Sequence, residues 1–179
     1  MDNKELNEIF AKAGEKNGYT TVNAMFMDHA DFKVTWTRTY RWAEFQVSDY
    51  LDEAPREVIE GLADTMFMRI TGQGPKPGEP VYPKAMNDYI MSEGFRMLKT
   101  GIWEERHKAK EIPGLQAHVE RLMAENHLEF EGLKVYGGNR VSSSPLFRTL
   151  ILPKQTPDEE IIFQVERLIE SLEVFIDKH

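Results

Sequence analysis

The chain contains no cysteine, which excludes disulfides, thiolate zinc sites, iron–sulfur clusters and cysteine nucleophiles together. No apolar run approaches the roughly 18 residues that a membrane-spanning helix needs, and the opening MDNKELNEIF lacks the pattern of a signal peptide. Basic charge is also short. Twenty-two Lys and Arg against thirty Asp and Glu leave a net charge of -8, a field that opposes nucleic acid and anionic membranes except where a local basic patch overrides it. What is present is an ordinary globular composition, with 41% hydrophobic residues in 179. It predicts one soluble cytoplasmic domain over 1–179.

The hydrophobic periodicity assigns the elements. Leu6, Ile9, Phe10 and Ala13 recur at helical spacing and predict a short amphipathic helix, ended by Asn17-Gly18. Thr20 to Asp28 and Phe32 to Thr39 predict two strands joined near Asp28 to Asp31, with Trp36 on the inward face. Ala43 to Tyr50 predicts a third. Pro55 opens a helix whose stripe is Val58, Ile59, Leu62, Ala63, Met66 and Ile70. The stretch GQGPKPGEPVYP then predicts a mobile loop.

Lys84 to Leu98 and Leu115 to Met123 keep helical spacing, making residues 83–127 a helical middle. Strands return at Leu128 to Tyr136 and Leu146 to Leu152. The sequence Thr156-Pro157-Asp158-Glu159 predicts an N-cap hydroxyl, a first-turn proline and favourable acidic charge for a last helix. The expected fold is therefore α+β, a small mixed sheet packed by several helices.

A displacement of 102 residues carries Pro55 onto Pro157, Arg38 onto Arg140 and Phe45 onto Phe147. It suggests two related strand–helix units, 19–71 and 128–179. The stretches VTWTRTYRWAEFQVSDYLDEAPREVIEGL and YGGNRVSSSPLFRTLILPKQTPDEEIIFQVERL resemble the central segment of small zincin metallopeptidases, the SprT-like and minigluzincin group. In that family a Pro-x-Glu-Val-Ile helix start precedes a His-Glu-x-x-His motif. Its two His hold zinc from one helical face and its Glu takes a proton from the metal-bound water. The resemblance places those positions on Thr65, Met66 and Arg69, and in the second unit on Arg167, Leu168 and Ser171. None of these can ligate zinc as His does or act as the base. What the resemblance implies is a zincin-like scaffold without the family's hydrolysis and without a cofactor, and an edge strand over Glu44 to Ser48 able to bind extended peptides.

Five histidines remain as candidates for a relocated metal site. His118 fits the edge of a core face, His127 a helix C-terminus, and His107 a solvated charged face beside Glu104 and Glu105. Asp28, His29 and Asp31 form the best local ligand cluster, in residues equally suited to a turn, and His179 is terminal. With these groups the alternative function is a metal-dependent hydrolase. Ser142, Ser143 and Ser144 lack a nucleophile elbow, and Gly137-Gly138-Asn139 lacks the phosphate-loop pattern, so they are expected in a loop and a tight turn.

The most informative surface feature is Trp36, Arg38, Tyr40, Arg41 and Trp42, preceded by Lys33. Rings interleaved with cations suit a protein or peptide partner. They also resemble single-strand nucleic-acid platforms, which the net charge disfavours. The expected role is a non-catalytic protein- or peptide-binding or assembly module, with no membrane partner and with self-association through the apolar last helix.

Overall fold

The computed structural model describes residues 1–77 and 82–178, with side chains as far as residue 173. The chain divides into two compact units, Met1–Ser92 and Glu93–Asp177. The fold is α+β, with two separate three-stranded sheets among the described residues in place of one. The central residues 78–81 of the Pro- and Gly-rich stretch and the terminal His179 lie outside the described residues.

The first unit runs α1 (Asn3–Glu15), β1 (Thr21–Met27), β2 (Val34–Arg38), β3 (Trp42–Ser48), a 3₁₀ turn (Asp49–Leu51), α2 (Arg56–Ile70) and α3 (Lys84–Ile90). Its sheet has the order β1-β3-β2, with β1 parallel and β2 antiparallel to β3. The first two strands are therefore not partners, although they are consecutive. Period-two patterning identifies a strand but not its neighbour, and β3 takes the place between them because it buries Ala43, Phe45 and Val47 completely. The ring of Phe45 lies 4.8 Å from Phe10 of α1 and 5.1 Å from Phe67 of α2, so both helices cover this strand. Val58, Ile59, Leu62, Ala63, Met66 and Ile70 are all buried, as their spacing requires.

The second unit runs α4 (Glu93–Arg106), α5 (Leu115–Glu125), β4 (Lys134–Gly138), β5 (Ser142–Ser144), β6 (Thr149–Pro153) and α6 (Asp158–Lys178). Its sheet order is β4-β6-β5, again with a parallel outer pair and an antiparallel hairpin. Each unit thus contains the same helix–strand–strand–strand–helix arrangement. The 102-residue displacement describes the helix starts but not the strands. Phe45 is at the centre of β3, whereas Phe147 lies in the turn before β6, stacked 5.8 Å from Phe95. Aligning the strand ends pairs Ser48 with Pro153, because the connection from β3 to α2 contains a 3₁₀ turn that the one from β6 to α6 lacks.

Several local expectations change. Leu128 and Phe130 precede the strand and pack against the second core instead of extending it. Ser142–Ser144 is a short strand, not a loop, and Gly137 and Gly138 belong to β4. The stretch Lys84 to Leu98 is two helices separated at Met91-Ser92, and Met97 is 76% exposed despite its register. The hydroxyl of Thr156 donates to the Pro153 carbonyl at 2.6 Å instead of capping α6. Ile161, Val165 and Leu168 of α6 are consumed by their own unit's core, which removes them from any self-association face. The side chains of Phe175 and Ile176 lie outside the described residues. No helix among the described residues is long and apolar enough to cross a membrane.

Candidate functional site: the open edge of the first sheet

The two outer edges of the first sheet are treated differently. Along β1, the amides of Ala24 and Phe26 donate to the side-chain oxygens of Asn7 and Asn3, both at 2.8 Å. These asparagines are four residues apart on α1 and therefore share one face. They occupy donors that would otherwise template another strand. The second unit does the same to β4, where Gln116 of α5 accepts from the Val135 amide at 2.7 Å and donates to the Leu133 carbonyl at 2.8 Å.

Among the described residues the β2 edge has no such cover. Ser48 donates its amide to the Lys33 carbonyl, and Thr39 donates to the Trp42 carbonyl. Antiparallel pairing alternates, so the odd-numbered residues of β2 bond to β3 and the even-numbered Val34, Trp36 and Arg38 direct N–H and C=O outward. Among the described residues none bonds to those outward groups. Glu44 to Ser48, expected as the edge, belong instead to the central strand β3.

Side chains of the aromatic–basic cluster surround this edge. Trp36 is opposite Phe45 in register and so faces the helix-covered side, as alternation requires. The inward direction is as expected, yet the side chain is 41% exposed: position at the sheet margin limits its burial. Arg38 ends the same strand and is exposed. Tyr40 and Arg41 lie in the three-residue connection to β3; the ring is 87% exposed and the guanidinium carbon is 5.1 Å from its centroid. Trp42 opens β3 half-buried. Lys33, Arg38 and Arg41 take part in no ion pair with a described residue, so their charge is available to a partner.

The positions that the zincin resemblance singles out do not fit a zinc ion. The Thr65 hydroxyl donates to the Gly61 carbonyl at 2.9 Å, within its own helix. Met66 is completely buried in the core, and the Arg69 guanidinium carbon is 5.3 Å from the Tyr82 ring centroid. A thioether in the core and a cation on an aromatic face offer neither ligands nor a base. In the second unit the Ser171 hydroxyl likewise donates to its own helix, at the Arg167 carbonyl, and Leu168 is buried.

No group of three or more His, Asp or Glu side chains able to hold a metal occurs among the described residues, so Asp28, His29 and Asp31 do not form one. His107 stacks on the buried Trp103 with centroids 4.0 Å apart. His127 supplies backbone geometry, with φ of 55° just past the end of α5. His118 is a satisfied histidine. Arg121 Nη2 is 2.9 Å from its Nδ1 and Asp158 Oδ1 is 2.8 Å from its Nε2. Since a guanidinium only donates, Nδ1 accepts and Nε2–H donates to the carboxylate.

Comparison with protein-family models, curated proteins and solved structures finds no match to this chain.

Proposed function

We propose that the chain is a non-catalytic, zincin-like binding module that receives an extended protein or peptide segment along β2. The observation that carries this reading is the open edge: Val34, Trp36 and Arg38 present backbone donors and acceptors outward while both asparagine-covered positions on β1 are closed. An added strand would take those bonds, and side-chain contacts would select it. Trp36 and Tyr40 supply large, rigid contact area. Unpaired Lys33, Arg38 and Arg41 favour an acidic segment, against the overall charge of -8. The resemblance to small zincins supports the same use of a sheet edge, with Thr65, Met66 and Arg69 marking the positions where catalytic groups are replaced.

A seven-residue peptide alternating Glu and Val tests this reading by backbone hydrogen exchange. The amides of Val34, Trp36 and Arg38 are expected to gain protection as the peptide saturates. Val34→Pro removes one outward donor without taking a bond from the β2–β3 ladder, so the fold is retained and the protection is lost. No added protection at these three amides, or equal binding by Val34→Pro, refutes strand addition. An oligonucleotide of similar length is the control for the nucleic-acid alternative and is expected not to bind at physiological salt.

A further inference from the structure

The second unit contains a cleft of about 610 Å³ at the carboxyl ends of its parallel strands β4 and β6. That volume is within the roughly 300–1,000 Å³ typical of small-ligand sites. Ile112, Leu115, Leu152, Pro153 and Ile161 contribute apolar walls. Its shape follows from two features of the sequence. Lys110 and Gly137 exchange backbone hydrogen bonds at 2.9 and 2.8 Å, laying the segment before α5 along the edge of β4. Gly137 permits this approach: a Cβ there would be 2.5 Å from Ile112 Cγ1. Ile112 consequently forms a wall that is itself 40% exposed.

The first unit differs at the corresponding end of its sheet. Between β3 and α2 the chain makes the 3₁₀ turn Asp49–Leu51, and its Tyr50 and Leu51 are completely buried, with the Tyr50 hydroxyl donating to the Ala30 carbonyl at 2.8 Å. The equivalent connection, residues 154–157 between β6 and α6, contains no 3₁₀ turn and no aromatic side chain. The connection buries two large side chains in the first unit and none in the second.

The charge of the lining points to the ligand class. None of the residues lining the cleft is acidic, although the chain carries thirty Asp and Glu. Lys110 and Lys154 border it, and neither forms an ion pair with a described residue. Among the described residues the only carboxylate tied to a lining side chain is Asp158, already engaged by His118. Two uncompensated ammonium groups beside apolar walls match a molecule with an apolar body and one anionic end.

We propose that this cleft is a binding site for a small apolar carboxylate, its hydrocarbon part against Ile112, Leu115 and Leu152 and its carboxylate toward Lys110 and Lys154. It is separate from the β2 edge and independent of strand addition. Titration of the full chain with octanoate, followed by backbone amide shifts, is expected to give saturable changes confined to residues 110–118, 137–139 and 152–161. Octan-1-ol should bind at least tenfold more weakly and octylammonium not at all. The double variant Lys110→Glu, Lys154→Glu is expected to lose tenfold or more in octanoate affinity with an unchanged circular dichroism spectrum. If that spectrum changes, the paired Lys110→Gln, Lys154→Gln protein provides the same comparison. Absence of saturable shifts, octan-1-ol binding as tightly as octanoate, or equal octanoate affinity in the folded charge variant would each overturn the proposal.

Discussion

Gly14 shows how a single hydrogen atom sets a packing distance. It is buried on α1, where a Cβ would be 2.5 Å from Val22 Cγ2 and 3.1 Å from Phe67 Cζ. Helix propensity alone would reward Gly14→Ala by about 1 kcal/mol, but overpacking costs about 1–3 kcal/mol. The steric term wins, and the variant is expected to lower the urea midpoint. Tyr136 gives a pH dependence. Desolvation, then its hydrogen bond to Glu104, raises its pKa from 10.0 to about 12. Above pH 10 the unfolded chain releases this proton first, so stability falls as pH rises from 10 toward 12. Tyr136→Phe is expected to remove that part of the alkaline slope in denaturant titrations between pH 9 and 12. Neither environment is legible in the sequence, since Phe67 and Glu104 are distant along the chain and even Val22, on the next element, meets Gly14 only because β1 packs back on α1.

At the scale of elements, helices were the more readable half. The α2 stripe from Val58 to Ile70 is buried throughout, because a 3.6-residue period defines a face without reference to a partner. Strand identity was legible in β1, β2 and β3, but strand order was not: it depends on which run can bury both of its neighbours' sides, and that is Ala43, Phe45 and Val47. The same limit applies to the candidate surface. Trp36, Arg38, Tyr40, Arg41 and Trp42 stand out as rings among cations, but the outward backbone of Val34 carries no side-chain signal. Edge protection by α1 is testable at this scale. Asn7→Ala leaves the amide of Ala24 unpaired, and Ala24 is buried, so a loss of about 1–3 kcal/mol is expected. Asn3→Ala should cost less, since its bond to Phe26 is exposed to water. Equal losses in chemical denaturation would contradict this account of the edge.

For the whole molecule, the decisive feature is one arrangement built twice on different cores. The second core gathers Val119 and Leu122 from α5, Val135 from β4, Leu150 and Leu152 from β6, and Ile161, Val165 and Leu168 from α6. Truncation at its centre, Leu150→Ala, is expected to cost about 2–5 kcal/mol, read as reduced exchange protection of the β4 and β6 amides. Composition, net charge, the absence of cysteine and the register of α2 were determined by the sequence alone, because each depends on residue identity or local spacing. The openness of β2 and the cleft beside Lys110 and Lys154 were decided only by the tertiary structure. Each is a relation between segments far apart in the chain, set by which surfaces the packing covers and which it leaves to solvent.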